Sequence, residues 1–344
     1  MNRRSSGVFD LCMCQHLVVQ ASLFYASDAR IPPRPAIMFV APPGYQPVYN
    51  PSIPYVGPIY GGLRSGMSVY IQGVIPHEIT SFNMNLQCGE SEGSDIGFHF
   101  SPRFDNWDKV VFNSCQEGEW GSEEEIHNMP FSKGDAFEMV IIIKQEGYQV
   151  TVNGQDLHTF NYRIPVERVN ALQIGGDVSI QTISIIGGGN PGADQIGGNL
   201  PVMDGQTIFK PPVPYSSMIP GGMSPKKTIV IRGMVPLGAN SFSINFMVGS
   251  SRDIVFHLNP RLQESVVVRN SLIGGSWDTE EREISLNPFL EGQYFDMSIR
   301  CGNQQFKVFV NGQHMCDFIH RFQNFSEIDT LDVEGNVQIS YVHF

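Results

Sequence analysis

Residues 253–283 combine side chains whose types and spacing suit the binding of a sugar. The segment His-Leu-Asn-Pro-Arg at 257–261 alternates polar and apolar residues, and alternate side chains of an extended strand share one face. His257, Asn259 and Arg261 are therefore predicted to form a polar row on a rigid surface. Fixed donors and acceptors can test each hydroxyl of a hexopyranose, because a mismatched ligand leaves a buried polar group unpaired.

The residues that follow add the remaining polar groups and one aromatic ring. The next predicted strand contributes Asn270, and the segment after it contributes Trp277, Glu280 and Arg282. The apolar C–H face of a pyranose can lie on the indole ring, while the carboxylate and the guanidinium reach its hydroxyls. Such a polar set makes a poor hydrophobic core. The stretch therefore predicts a carbohydrate-binding site.

These positions resemble the galectin signature, in which His-x-Asn-Pro-Arg is followed by Val-x-Asn and Trp-x-x-Glu-x-Arg. The matching residues of this sequence are His257, Asn259, Arg261, Val268, Asn270, Trp277, Glu280 and Arg282. Spaced matches of this number form a specific signal. The family usually has glycine after the Trp, whereas this chain has Asp278.

The resemblance implies a lectin that binds β-galactosides without a cofactor or a metal. In such sites the His, the first Asn and the first Arg address the axial 4-hydroxyl of galactose. The second Asn and the Glu take the 6-hydroxyl, and the Trp stacks on the apolar face of the sugar. The last Arg, together with the Glu, reaches the next sugar.

The chain repeats itself once along most of its length. Gly73 and Gly233 are 160 residues apart, and the Asn-Gly pairs at 153–154 and 311–312 are 158 apart. Two copies cannot form a solenoid, so each must be a complete domain. Each copy contains short alternating runs separated by turn residues, a pattern typical of a β-sandwich.

The predicted fold class is all-β, and the resemblance implies two jelly-roll-like β-sandwich domains of the galectin (concanavalin-like) type. A Gly-rich segment between the copies predicts a flexible linker, whose end-to-end distance would be on the order of 25 Å. The two sites could then face different ligands. The predicted boundaries are a disordered or uncertain N-terminal extension at 1–44, an N-terminal carbohydrate-recognition domain at 45–187, the linker at 188–209 and a C-terminal carbohydrate-recognition domain at 210–344.

The first copy predicts an altered version of the same site. Its candidate residues are His99, Ser101, Arg103, Asn113, Trp120 and Glu123. Ser101 replaces the motif Asn, which would cost about 1 kcal/mol if one hydrogen bond is lost. Glu125 replaces the last Arg, a charge reversal expected to repel sulfated or sialylated ligands. We expect weaker binding than in the second copy, and complete loss of binding stays open. Trp107 is interpreted as a framework residue.

Composition excludes several other classes of function. The formal net charge of −12 argues against nucleic acid as a partner. No run is apolar and long enough to span a membrane. A Cys-Met-Cys-Gln-His run at 12–16 is only a weak metal signal. Scattered cysteines suggest free thiols and a reducing compartment, and they are Cys12, Cys14, Cys88, Cys115, Cys301 and Cys316.

Three functional classes can be weighed against one another. A glycosidase needs two carboxylates roughly 5–10 Å apart, but each copy offers one inward carboxylate, Glu123 or Glu280, with Glu124 and Glu281 facing away by alternation. The preferred interpretation is a non-catalytic bivalent lectin that cross-links glycoproteins and glycolipids bearing β-galactosides, as in cell adhesion. The alternative is an intracellular protein-interaction scaffold with one degenerate sugar site. The resemblance also implies cytoplasmic synthesis with non-conventional secretion to the cell surface, and it leaves self-association open.

Overall fold

The structure is a computed structural model that describes residue 41 and residues 45–105, 107–187 and 207–344. Within these ranges the regular structure is β-strand, apart from 3-10 turns at Val166–Arg168 and Phe325–Glu327. The all-β prediction is therefore confirmed. Nearly all of the predicted extension, most of the predicted linker and the cysteine-containing run at 12–16 lie outside the described residues.

The first domain is a sandwich of two antiparallel sheets, here called the back sheet and the site sheet. The back sheet has the order β1-β13-β3-β9-β10-β11, and the site sheet has the order β2-β12-β4-β5-β6-β7 with β8 paired to β6. The strands are β1 (Tyr45–Tyr49), β2 (Tyr55–Pro58), β3 (Ser68–Val74), β4 (Phe82–Gln87), β5 (Ile96–Arg103), β6 (Lys109–Gln116), β7 (Glu119–Trp120), β8 (Glu124–Ile126), β9 (Ala136–Ile143), β10 (Gly147–Val152), β11 (Gln155–Asn161), β12 (Ala171–Gly176) and β13 (Ser179–Ile186).

The second domain repeats this arrangement. Its back sheet has the order β14-β25-β16-β21-β22-β23, and its site sheet has the order β15-β24-β17-β18-β19-β20. The first of these strands begins inside the segment predicted as linker. The strands are β14 (Thr207–Phe209), β15 (Tyr215–Met218), β16 (Thr228–Met234), β17 (Phe242–Val248), β18 (Asp253–Arg261), β19 (Val266–Ile273), β20 (Ser276–Trp277), β21 (Tyr294–Cys301), β22 (Gln305–Val310), β23 (Gln313–Ile319), β24 (Thr330–Gly335) and β25 (Gln338–His343).

The repeated glycines Gly73 and Gly233 occupy matching β-bulges in the two back sheets. The register between β3 and β13, and between β16 and β25, shifts at this point. A Cβ on Gly73 would lie 2.3 Å from the carbonyl oxygen of Ser179, and one on Gly233 would lie 2.3 Å from that of Gln338. Only glycine allows the neighbouring backbone to approach this closely.

The repeated Asn-Gly pairs form the tight hairpins that the sequence predicts. Asn153 and Gly154 have φ of 49° and 79°, and Asn311 and Gly312 have φ of 50° and 75°. Positive φ at both central residues is the type I′ geometry, which matches the twist of the flanking strands. These turns join β10 to β11 and β22 to β23.

Each sandwich has its own hydrophobic core between its two sheets, rich in interlocked phenylalanine rings. The edge-to-face arrangements among these rings are the favoured ones for aromatic pairs. Residues of both back sheets also form a third, smaller apolar cluster. The two cores hold the site sheets rigid, and these sheets carry residues predicted to bind sugar.

Candidate carbohydrate-binding site

The second site sheet brings the predicted residues together on three neighbouring strands and on the segment that follows the last of them. His257 on β18 pairs in register with Asn270 on β19, and Trp277 on β20 pairs with the other end of β19. The polar side chains of β18 are half-buried, while Phe256 and Leu258 between them are fully buried in the core. The alternation of residue types along the strand thus displays the polar row on the outer face of the sheet.

His257 is held as a neutral imidazole with one nitrogen left for a ligand. Its Nδ1 lies 2.6 Å from Oδ1 of Asn245 on β17. Because Nδ2 of Asn245 donates to Asp332 at 3.4 Å, Oδ1 faces the imidazole and accepts from Nδ1–H. Nε2 is then the acceptor. Burial, with the nearby Arg261 as a second cause, lowers the pKa of His257 to about 4, so the ring is uncharged at neutral pH.

The side chain of Asn259 binds a backbone carbonyl to which the following proline cannot donate. Pro260 has no N–H to donate towards β17, and the carbonyl oxygen of Phe242 on that strand accepts a hydrogen bond from Asn259 Nδ2 at 2.6 Å. Oδ1 of Asn259 accepts from Nε of Arg261 at 2.9 Å. The Asn-Pro-Arg sequence thereby locks the amide and the guanidinium in one orientation, and both side chains are only half-buried.

Two arginines and two glutamates form a charged network at the end of the row. Glu280 accepts from Nη2 of Arg261 at 3.1 Å and from Nε of Arg282 at 2.8 Å. Glu264, in the turn between β18 and β19, lies 3.3 Å from Nη1 of Arg282. The hydrogen bond from Arg282 is the main cause that lowers the pKa of Glu280. The carboxylate is therefore ionised and oriented from both sides.

Trp277 forms an open aromatic floor beside the row. Its side chain is 52% exposed, although its ring lies 4.9 Å from the His257 ring, centroid to centroid, at an interplanar angle of 62°. The His257 ring therefore holds the indole in place while about half of the indole's surface remains exposed. A half-exposed indole held in this way is a suitable surface for the apolar face of a sugar.

Arg321 is a positioning residue that the sequence motif does not contain. Its Nη1 donates to Oδ1 of Asn270 at 2.9 Å, and its Nη2 donates to the carbonyl of Thr279 at 3.0 Å and to Glu281 at 2.8 Å. Asn270 Nδ2 in turn donates to the carbonyl of Asp278 at 2.8 Å. The guanidinium thus ties Asn270 to the segment that carries Trp277 and Glu280. Asp278, the departure from the usual glycine, takes part through its backbone carbonyl and through its carboxylate, whose Oδ2 lies 3.5 Å from Nη1 of Arg321.

The first site sheet reproduces much of this geometry. His99 Nδ1 lies 2.6 Å from Oδ1 of Asn85, and burial lowers the pKa of His99 to about 4. The rings of His99 and Trp120 are 4.7 Å apart at 63°. Asn113 is held by Arg163 at 3.1 Å, as Asn270 is held by Arg321.

The two substituted positions of the first copy have visible consequences. Ser101 is buried, and Arg103 lies 3.7 Å from Glu123, which is a longer contact than the 3.1 Å between Arg261 and Glu280. Glu125 accepts a hydrogen bond from Nζ of Lys109 at 2.6 Å. The charge of Glu125 is therefore partly neutralised by a lysine, which moderates the repulsion of anionic ligands expected from the sequence.

Trp107 is not a framework residue, contrary to the interpretation of the sequence. Its side chain is 83% exposed in the turn between β5 and β6. Its backbone N–H donates to Oδ1 of Asp105 at 3.0 Å, and the ring borders a surface cleft also lined by Asp105, Asp108 and His127. Trp107 is held by a hydrogen bond within this turn and does not pack in the core.

Comparison with known proteins assigns the family. A family model described as a galactoside-binding lectin matches twice, at residues 54–185 and 214–344. The chain belongs to the galactoside-binding lectin family. This lectin is 52% identical to galectin-4 of Sus scrofa and 50% identical to galectin-4 of Homo sapiens, each over 319 residues that cover 88% of this chain and 99% of the relative. It is 31% identical to a 32 kDa beta-galactoside-binding lectin of Haemonchus contortus over 294 residues, covering 85% of this chain and 95% of the relative.

Family membership gives the general chemistry of the site. The chain is a tandem-repeat galectin with two galectin domains, and members of this family are non-enzymatic lectins that bind β-galactoside glycans. Among the described residues, no group of three or more His, Cys, Asp or Glu side chains could hold a metal ion. In the same part of the chain, none of the helical segments has the length and apolarity needed to cross a membrane.

Proposed function

We propose that this lectin is bivalent, with one β-galactoside site on each site sheet, and that it cross-links glycoconjugates. The observation that carries the proposal is the fixed array around Trp277, in which every polar side chain is held by a partner within the protein and still has a donor or acceptor to spare. An array oriented before the ligand arrives loses little side-chain entropy on binding. Two linked sites also gain avidity through effective concentration.

The geometry supports a specific division of roles in the second domain. Nε2 of His257 accepts a hydrogen bond from a sugar hydroxyl, and the amide of Asn259 and the guanidinium of Arg261 donate to the same oxygen. A hydroxyl that both donates and accepts in this way is distinguished from one of opposite configuration, which would leave these groups unpaired. Asn270 and Glu280 serve a second hydroxyl on the far side of the ring.

The same geometry supports a stronger second site. Arg282 extends the charged network beyond Glu280 and is available to a second sugar, whereas Glu125 occupies that place in the first domain and is paired with Lys109. The first domain also has no amide at Ser101. We therefore propose that lactose-type disaccharides bind more tightly to the second domain, and that the first domain prefers ligands that make less use of the missing guanidinium.

Titration of the full chain with lactose tests both parts of the proposal. Trp277→Ala is expected to remove the tighter binding event and leave a weaker one, and Trp120→Ala is expected to do the reverse. The double variant, which lacks both indole rings, should not be retained on immobilised lactose. Retention of the folded double variant, or equal affinities in the two single variants, would contradict the proposed site or its ranking.

The biological setting proposed for this chain follows from cross-linking. Synthesis in the cytoplasm followed by non-conventional secretion would bring the two sites to glycoproteins and glycolipids at the cell surface. Recovery of the native protein from the medium of cells whose classical secretory route is blocked would support this. Secretion that stops with that block would contradict it.

A further inference from the structure

The back sheets of the two domains cover each other's outer faces. Val230 on β16 lies between Ile229 and Ile231, which belong to the core of the second domain, so Val230 points away from that core. It is nevertheless fully buried. Its neighbours come from both domains, and the shared cluster consists of Tyr45, Tyr70, Val140 and Ile186 from the first and Val230 and Tyr341 from the second.

An ion pair of the second domain is completed by hydroxyls of the first. Arg232 and Asp296 are almost completely buried, and Nη2 of Arg232 lies 3.1 Å from Oδ2 of Asp296. The same Nη2 donates to Oγ of Ser184 at 2.7 Å, and the hydroxyl of Tyr45 donates to Oδ2 of Asp296. A buried charge is tolerated only when it is paired and hydrogen-bonded. Ser184 and Tyr45 supply bonds that the second domain alone does not.

Aromatic rings and a second carboxylate surround this ion pair. The guanidinium of Arg232 lies 5.0 Å from the ring centroid of Tyr70 in the first domain, within the range of cation–π attraction. Glu138 of the first domain is buried, and burial is the main cause that raises its pKa, while the charge of Arg232 counteracts this. Oε2 of Glu138 also accepts from Oγ of Ser340 in the second domain at 2.9 Å.

Further polar contacts join the rims of the two back sheets. The hydroxyl of Tyr294 donates to Oδ1 of Asn153 at 3.0 Å, and Nζ of Lys210 donates to the carbonyl oxygen of Gly154 at 2.7 Å. Both acceptors lie in the Asn-Gly turn between β10 and β11. An apolar cluster, a buried ion pair that is hydrogen-bonded across the contact and a polar rim are parts of which specific protein interfaces consist.

The two domains use the same place on their back sheets. Gln72 and Arg232 are separated by the repeat distance of 160, and Glu138 and Asp296 by 158. In the first domain Gln72 Nε2 donates to Glu138 at 2.7 Å, which is the counterpart of the Arg232–Asp296 pair. The two domains thus contact each other through equivalent positions, as the subunits of a symmetric dimer do, although the side chains at these positions differ. The change from Gln72 to Arg232 places a cation between the carboxylates of both domains.

We propose that the two domains of one chain are held together through their back sheets, as a non-covalent pair that does not depend on the linker. Each site sheet lies on the far side of its own core from the back sheet, so the two sugar sites would face in opposite directions. If the proposed sugar binding holds, one molecule would bridge two opposed surfaces and would not place both sites on a single flat surface.

Cutting the linker in the full chain tests the pairing directly. A protease recognition sequence replaces residues 190–197, and the protein is cleaved after purification and analysed by size-exclusion chromatography at micromolar concentration. We expect the two halves to elute together at the position of the uncleaved chain. Two separate peaks from the cleaved protein without interface substitutions would overturn the proposal. Lactose retention of the same material is read separately, so a failure of sugar binding is not confused with a failure of pairing.

Two sets of substitutions test which residues hold the pair. Arg232→Gln installs the residue that the first domain has at this position, and it is expected to weaken the association of the cleaved halves by at least about tenfold. Arg252→Gln, the same chemical change on an exposed loop, is the matched control. Tyr45→Phe combined with Ser184→Ala removes the two hydroxyls from the other domain and should have the same direction of effect without disturbing the fold of the second domain.

These variants are informative only with folded halves, which near-ultraviolet circular dichroism establishes. If neither folded interface variant weakens the pair relative to Arg252→Gln, the back sheets are not what holds the domains together and the proposal is wrong. Weaker association of the halves in either folded variant, with the control still paired, supports it.

Discussion

Replacing Ser101 by Asn should give the first domain the hydrogen bonds that Asn259 makes in the second. Asn259 binds the carbonyl of Phe242 at 2.6 Å and Nε of Arg261 at 2.9 Å. The counterparts in the first domain are the carbonyl of Phe82 and the guanidinium of Arg103. A neutral hydrogen bond contributes about 1 kcal/mol and one to a charged group somewhat more.

Part of this gain would stabilise the fold, and part would hold Arg103 and a new amide N–H for the ligand. We assign about 1 kcal/mol to ligand binding, which corresponds to roughly a fivefold lower dissociation constant for lactose. A gain in affinity is a sharper readout than a loss, because a damaged fold cannot produce it.

The measurement is calorimetric titration of the full chain with lactose in a Trp277→Ala background, so that only the first domain binds. The reciprocal change, Asn259→Ser in a Trp120→Ala background, serves as the matched control and should weaken binding by a similar factor. A Ser101→Asn protein that melts at a higher temperature yet binds lactose no better would refute the reasoning. The amide would then stabilise the sheet without contributing to ligand binding.

Three further predictions concern the pH dependence set by His257 and the exposed indole of Trp107. Lactose binding by the second domain should be constant from pH 8 to about pH 5.5 and should fall towards pH 4. The reason is that the pKa of His257 is lowered to about 4, and protonation removes the Nε2 acceptor. An inflection of the lactose affinity near pH 6.5 would contradict this. The same lowered pKa favours proton uptake by the unfolded chain, so stability should decline as the pH falls from 6.5 towards 4. Trp107→Ala should change the free energy of unfolding in urea by less than about 0.5 kcal/mol, because the indole is exposed, and a loss of 2 kcal/mol or more would show that the ring is packed in solution.

The sequence predicted the fold and the members of the site because both depend on local patterns. Alternation along residues 257–261 is enough to place three side chains on one face of a strand, and the turn residues at 153–154 and 311–312 are enough to place the hairpins. The repeat then required two complete domains. None of these steps needs knowledge of which strands become neighbours.

The residues that the sequence missed act through contacts between distant parts of the chain. Asn245 orients His257 from the neighbouring strand, and Arg321 reaches Asn270 across 51 residues. A signal for both was present, because Asn85 and Arg163 occupy the equivalent positions of the first copy at shifts of 160 and 158. The interface between the back sheets left no such signal, since its polar centre differs between the copies.

The hydrogen bond from Asn259 to the backbone of β17 links the proposed recognition of sugar to the integrity of the sheet. At Pro260 the strand lacks a backbone donor, and a residue of the binding surface takes over that task. Any replacement at 259 therefore alters the ladder and the ligand together, and selection on either property constrains the other. The serine of the first copy shows that the sheet tolerates the loss, and under the proposed function this leaves that domain free to accept a different set of glycans.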